Sequence, residues 1–318
     1  MKLGFVYAGQ GSQKVGMGKD FYEAFPLFAE TVDRAAEAVR TETDFDLKAC
    51  CFDGPIEQLS KTRYTQPCMV AFAVGVTKLL KKEGIAPEYV GGLSLGEYSA
   101  LYAAEVLDED TVTKLVAYRG RVMEEAVKDR EVKMSAVLMT ARDTIENCCK
   151  EATESLKEQG FLVQVANYNC PGQIVISGDA QAVDLASELL KESGTKRIVP
   201  LPVSGPFHTA LMKPAGDALA ARFPEVDFAP EKATVIFNVT GLPKQDGEDI
   251  AGLLEKQVQS SVYLEDSIRY MAEQGVDTIV EIGPGNTISK FVKKTAPDVK
   301  VYSIDSVKDY EAVLAALR

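Results

Sequence analysis

The sequence predicts an α/β protein whose mainly parallel sheet is interrupted by an inserted β-α-β-β-α-β module, and three observations carry that expectation. Short apolar runs such as Leu3–Tyr7 and Thr278–Ile282 alternate with amphipathic stretches of helical period toward both ends of the chain. After the polar stretch Lys128-Asp129-Arg130-Glu131 the grammar changes to strand, helix, strand, strand, helix, strand, which is the ferredoxin-like order. Beyond Pro202 the α/β alternation resumes. The expected division is a discontinuous large domain, residues 1–130 and 204–318, around a ferredoxin-like small domain at 131–203.

Taken in order, Leu3–Tyr7 reads as the first strand, followed by a Gly9-Gln10-Gly11-Ser12-Gln13 loop and an amphipathic helical stretch over Phe21–Val39. A helix is expected from Gln66 to Lys82, with Pro67 in its first turn, where a missing N–H costs nothing. Tyr89 and Val90 end the next strand, Glu97–Ala104 form a helix, and another helix runs from Asp110 to Lys128. Inside the module, strands Ser135–Met139, Phe161–Ala166, Gln173–Ser177 and Arg197–Leu201 enclose helices Thr144–Lys157 and Gln181–Leu190. Strands at Thr234–Phe237, Thr278–Ile282 and Val299–Ile304 follow, with a last helix from Asp305.

At 318 residues, 46% of them hydrophobic and 26% charged, the chain can bury a large core without staples. Six cysteines include two adjacent pairs and no C-x-x-C spacing, so they read as reduced, mostly buried thiols. A single histidine without a paired-cysteine motif argues against a zinc or other metal site. A formal charge of −12 argues against a nucleic-acid surface but leaves room for a local basic dock. Lys290, Lys293 and Lys294 are spaced to share one helix surface, with Lys213 close after His208; such lysines form either a solvated face or that dock. No apolar run approaches a membrane span and the first residues are too few to form a signal core, which predicts a cytoplasmic protein.

The chemistry centres on Gly92-Leu93-Ser94-Leu95-Gly96, placed where a strand turns into a helix. In a G-x-S-x-G turn the glycines relieve crowding, the hydroxyl projects above the sheet, and the next N–H faces a developing oxyanion. This makes the large domain α/β-hydrolase-like. A serine nucleophile needs a base, and the one histidine, His208, is the imidazole available. His208 stands at the start of a helical stretch through Leu211, Met212 and Leu219, whose positive end would disfavour imidazolium. Arg119 falls inside the apolar stripe Val112, Leu115, Val116, Val122, Met123, while Arg121 falls outside it. A guanidinium on a buried face costs several kcal/mol unless it meets an anion, which is either an internal Asp or Glu or a carboxylate on the substrate. The Gly9–Gln13 loop lacks the third glycine of a dinucleotide fingerprint and any G-K-[ST], so it reads as a tight turn at a strand's carboxyl end, where the Gln10 N–H could line an oxyanion hole. No hydrolase acid is obvious between Ser94 and His208, so an imidazole oriented by a neutral carbonyl is expected.

Taken together, Gly9-Gln10-Gly11-Ser12-Gln13, Gly92-Leu93-Ser94-Leu95-Gly96-Glu97, Arg119, Gly205-Pro206-Phe207-His208 and Gly283-Pro284-Gly285 resemble the malonyl-CoA:acyl carrier protein transacylase family over nearly the whole chain. The resemblance implies malonyl-CoA as substrate and the phosphopantetheine thiol of acyl carrier protein as acceptor, in fatty acid synthesis, with no bound cofactor. It implies Ser94 as nucleophile, His208 as base, Arg119 as holder of the malonyl carboxylate, and the N–H groups of Gln10 and Leu95 as oxyanion hole. It further implies Gln257 as the carbonyl that orients His208, with Asn167 and Asn169 at the edge of the acyl pocket. Phe207 resembles malonyl-selective members, since a bulky ring there would crowd an α-methyl branch. One departure is Leu93, where the family usually has histidine, so any hydrogen bond from that histidine is lost. Rival readings are a trans-acting acyltransferase of polyketide synthesis, a serine hydrolase or thioesterase, and a non-catalytic binding module; nothing in the sequence demands more than a monomer.

Overall fold

The computed structural model describes residues 1–128, 130–202 and 205–318. Among these residues are ten strands, β1 (Leu3–Tyr7), β2 (Tyr89–Gly92), β3 (Val132–Leu138), β4 (Val163–Cys170), β5 (Gln173–Asp179), β6 (Arg197–Pro200), β7 (Thr234–Val235), β8 (Val262–Tyr263), β9 (Thr278–Ile282) and β10 (Lys300–Ile304). They form two five-stranded sheets. The first has the order β10-β9-β1-β2-β7 with every pair parallel. Its central strands β1 and β9 are buried along their whole length, as a parallel sheet covered on both faces requires. The chain leaves β1 toward β2 and β7, then returns to its other side through β9 and β10, so the crevice at the carboxyl ends of β1 and its neighbours is a topological switch point.

The second sheet has the order β6-β3-β5-β4-β8, and its first four strands with helices Arg142–Ser155 and Ala180–Glu192 follow the ferredoxin-like path. A fifth strand comes from outside the 131–203 stretch: β8 pairs in parallel with β4 through Asn167–Val262 and Tyr168–Tyr263. The sequence gives no hint of this strand because two residues carry no periodicity. The expected boundary at 203–204 lies outside the described residues, and the one at 130–131 adjoins Asp129, which does as well.

Two helix expectations change. The Phe21–Val39 stretch is two helices, Lys19–Ala24 and Pro26–Val39. Pro26 drives the preceding Phe25 out of the helical region, to φ −126° and ψ 108°, and then starts the next helix itself. The helix expected from Gln66 instead begins at Thr62, which leaves Pro67 in the interior. It is tolerated there because the surrounding face is buried: Phe28 stacks so tightly on Gly75 that an added Cβ would lie 2.5 Å from its ring. Full burial of such a ring contributes about 2 to 3 kcal/mol, comparable with the cost of the proline.

The helix Glu109–Glu125, capped by Asp108 through Thr111 N–H, crosses this proline-bearing helix at Gly120. A Cβ on Gly120 would meet Arg63 Cα and Thr62 O at 2.8 Å, so only glycine permits the approach that carries the neighbouring Arg119 inward. All six cysteines are free and buried. Among the described residues no helix is long and apolar enough to cross a membrane, and no group of His, Cys, Asp or Glu is arranged to hold a metal.

Candidate active site

Loops at the carboxyl ends of β1, β2, β7 and β9 converge above the first sheet. Glycine is obligatory at their crossings for steric reasons. A Cβ on Gly9 would lie 2.4 Å from Leu93 O, one on Gly92 would lie 2.2 Å from the Gly96 carbonyl carbon, and one on Gly96 would lie 2.1 Å from Tyr7 O. Gly283, at φ 144°, leaves room for the Ala8 side chain, which a Cβ would approach to 2.4 Å. The Gly9-Gln10 loop and the serine turn are therefore packed backbone to backbone.

Ser94 sits at the tip of this turn with φ 54° and ψ −96°, immediately before the helix Leu95–Ala103. The backbone of a non-glycine residue held there stores about 1 to 3 kcal/mol. His208 also has a positive φ, 62°, and is 4% exposed. Its Nε2 lies 2.7 Å from Ser94 Oγ and its Nδ1 lies 2.9 Å from the main-chain carbonyl of Gln257. A carbonyl only accepts, so Nδ1 carries the proton and Nε2 is free to accept from the serine hydroxyl. Gln257, in the helix Ile250–Gln259, orients the imidazole through its backbone rather than its side chain.

Burial first, and then the positive charge of Arg119, lower the pKa of His208 from 6.5 to about 4. The expected cause was a helix amino terminus, but the ring precedes a short turn, Ala210–Met212, and the helix proper starts at Lys213. Depression keeps the ring neutral, hence competent as a base, down to mildly acid pH. The acid limb of Ser94 acylation is therefore expected near pH 4 rather than 6.5, which burst rates measured from about pH 4 to 8 would check; a limb above about pH 6 would contradict it.

Arg119 is 1% exposed and its Nη2 donates to Ser94 Oγ at 3.1 Å and to Gln257 Oε1 at 3.0 Å. Its guanidinium carbon stands 5.1 Å from the centroid of the Tyr98 ring, and its buried Nε has no acceptor among the described residues. The nearby carboxyl of Glu97, fully buried, is pushed up to about 8 by desolvation against the opposing pull of Arg119, and among the described residues it makes no ion pair with Arg119. Arg121, by contrast, is half-buried at the surface and pairs with Glu125.

These groups open into one cavity of about 180 Å³, which Gln10, Leu93, Ser94, Arg119 and His208 line on the large-sheet side. Asn167 and Asn169 from β4, Met134 from β3 and Val175 from β5 form the opposite wall, with Phe207 beside His208. Asn169 Oδ1 is buried without a donor among the described residues. The structure thus brings together Ser94, His208, Arg119, Gln257, Gln10, Leu95, Asn167, Asn169 and Phe207. Lys290, Lys293 and Lys294 are exposed on the helix Thr287–Thr295, and Lys213 pairs with Asp217.

Three residues escape sequence reasoning. Asn238, beyond β7, accepts from Ser94 N–H at 2.8 Å and donates to Gly92 O at 2.8 Å. Glu97 and Tyr98 flank Arg119. Glu97 is visible in the serine motif but marks only a helix there, whereas Asn238 carries no local signal at all.

Comparison with known proteins agrees with this architecture. Residues 4–313 match the family described as acyl transferase domain. The malonyl CoA-acyl carrier protein transacylase of Bacillus subtilis is 40% identical over 317 residues, covering 100% of this chain and 98% of the relative. That of Escherichia coli K12 is 37% identical, with 99% of each chain covered. Among solved structures, MCAT from Streptococcus pneumoniae superposes with a TM-score of 0.92 at 42% identity, covering 99% of this chain and 100% of that one. A malonyl-transacylase in complex with a type II polyketide acyl-carrier protein gives 0.93 at 35% identity, covering 99% and 100%. With its strained serine, buried histidine and inserted second sheet, the chain belongs to the acyl transferase domain family and, within it, to the malonyl CoA-acyl carrier protein transacylases.

Proposed function

We propose that the protein transfers a malonyl group from malonyl-CoA to the phosphopantetheine thiol of acyl carrier protein, supplying fatty acid synthesis. The observation that carries this reading is Arg119: a buried guanidinium with no ion pair among the described residues, 3.1 Å from the hydroxyl that His208 also engages. A malonyl carboxylate would give that cation the bidentate anion it lacks. His208 Nε2 takes the Ser94 proton as Oγ attacks the thioester carbonyl. The N–H groups of Gln10 and Leu95 hold the oxyanion, which collapses to malonyl-Ser94 as the CoA sulfur leaves with the proton from His208. The carrier thiol then gives its proton to His208, attacks the ester and leaves as the malonyl thioester, returning the proton to Ser94.

In the same reading residues 131–203 form an inserted unit whose strands β3, β4 and β5 supply the acyl-pocket wall, with Asn167 and Asn169 at its edge. Phe207, held against Gly205, narrows the slot against an α-methyl branch. Every proposed catalytic group comes from one chain, consistent with a monomer, and thioester exchange needs no redox or metal chemistry, consistent with no resident cofactor; the reading places this chemistry in the cytoplasm. Ser94→Ala is expected to abolish the mass increase of malonylation seen with malonyl-CoA; an undiminished adduct would overturn the nucleophile. Malonyl-CoA loss as fast without holo carrier protein as with it would instead favour a thioesterase. A panel of carrier proteins separates the fatty acid reading from the polyketide one that a structural neighbour's partner raises.

A further inference from the structure

We infer that Asn238 is the positioning residue that holds the nucleophile turn in its reactive shape; the inference rests on Ser94 acting as proposed above. Asn238 is 1% exposed. Its Oδ1 accepts the Ser94 N–H at 2.8 Å and its Nδ2 donates to the Gly92 carbonyl at 2.8 Å, so one planar amide spans the end of β2 and the nucleophile. Its main chain is equally committed. The N–H donates to Glu97 Oε2 at 2.5 Å, and the carbonyl accepts from Tyr263 N–H at 2.8 Å.

These bonds close a ring. Glu97 lies one helical turn after Ser94 and donates its own N–H to the Ser94 carbonyl at 3.1 Å. From Ser94 the path runs through that turn to the Glu97 carboxyl, across to the Asn238 main chain, and back through the Asn238 amide to the Ser94 N–H. Gln257 Nε2 fastens the Ser94 carbonyl at 2.7 Å from the other side. Ser94 holds a φ and ψ of 54° and −96°, which persist only where surrounding bonds over-determine them.

The residue type follows from the chemistry. The site needs a donor for Gly92 O and an acceptor for Ser94 N–H on one buried head group. A carboxylate offers no donor, and an aliphatic side chain leaves both backbone groups unpaired. With the Ser94 N–H consumed by Asn238, the turn has its next N–H, at Leu95, left to face an oxyanion. Asn238 therefore governs both the position of Oγ and the aim of the Leu95 N–H while touching no substrate itself.

Rapid-mixing mass spectrometry on the full chain tests this, because the burst amplitude counts competent sites and the burst rate reports the geometry of each. For Asn238→Ala the rate of malonyl-Ser94 formation should fall about 100-fold, the scale expected for an ångström of misplacement, at unchanged amplitude per folded protein. The half-saturating malonyl-CoA concentration should stay within about threefold, since Arg119 is untouched. Asn238→Asp, nearly isosteric but without the donor to Gly92, should lose at least about tenfold. A purely structural residue would lower the amplitude and leave the rate, and that outcome overturns the inference, as do rates within about threefold of the parent in both variants. The rate is read per acylated site, so partial unfolding does not obscure it, and Asn238→Asp decides if the alanine variant yields no folded protein. A Ser94→Ala sample run alongside keeps the two readings apart: an adduct surviving there removes the nucleophile, whereas its loss beside a full-speed Asn238→Ala removes only the positioning role.

Discussion

Replacing His208 by alanine should slow acylation of Ser94 by about four to six orders of magnitude while leaving the fold in place. The size follows from the absence of a substitute. This is the sole histidine of the chain, and the position before the serine is Leu93, which cannot accept a proton. Asp and Glu side chains, Glu97 included, do not line the cavity among the described residues. An un-ionised serine attacks a thioester very slowly, and the remaining groups could at most stabilise the oxyanion. The measurement is the rate of malonyl-Ser94 formation by mass spectrometry at a pH between about 7 and 8, with circular dichroism to verify folding. A His208→Ala enzyme within about a hundredfold of the parent would mean that the proton leaves by another route.

Arg119→Ala should lower the preference for malonyl over acetyl transfer by about a hundredfold. Truncating one partner of a buried charge pair costs about 2 to 5 kcal/mol, and only the malonyl group forms such a pair. Both substrates also lose the bond from Nη2 to Ser94 Oγ and the tie to Gln257, so each absolute rate falls and the ratio isolates the carboxylate term. In the unliganded protein the volume-preserving Arg119→Met should be nearly neutral or stabilising in thermal unfolding, because it removes a buried cation that has no counter-ion among the described residues. Equal losses for malonyl and acetyl transfer would remove the carboxylate role.

Most of the fold is legible in the chain because its two halves obey different periodic rules. β1 and β9 coincide with their predicted residues, since continuous apolar runs bounded by turn signals leave little choice of register. The first four strands of the second sheet are legible from element order alone, the fifth is not. What the sequence hides is what depends on a distant partner. Pro67 reads as a helix start until the packing of Phe28 on Gly75 is known, and two-residue strands such as β8 exist only because β4 offers an unpaired edge. In the site, Ser94, His208 and Arg119 announce themselves by motif, scarcity and misplaced charge. Asn238 is an ordinary asparagine in a turn until the Ser94 N–H is found on its oxygen.

The short strand β8 has a mechanical meaning. It bonds to β4 at Asn167 and Tyr168 while Tyr263 N–H reaches back to Asn238, and the Tyr263 ring stacks on Tyr168 at 4.8 Å. Ser261 Oγ donates to Val165 O at 2.6 Å and Arg142 donates to Asp266 at 3.1 Å on either side of it. This stitching is a seam between the wall of the acyl slot and the mounting of the nucleophile. A clamshell swing of one sheet away from the other would have to unpick the seam and drag Ser94 with it. The width of the cavity is thus set by the seam, which ties β4 to the turn that carries Ser94.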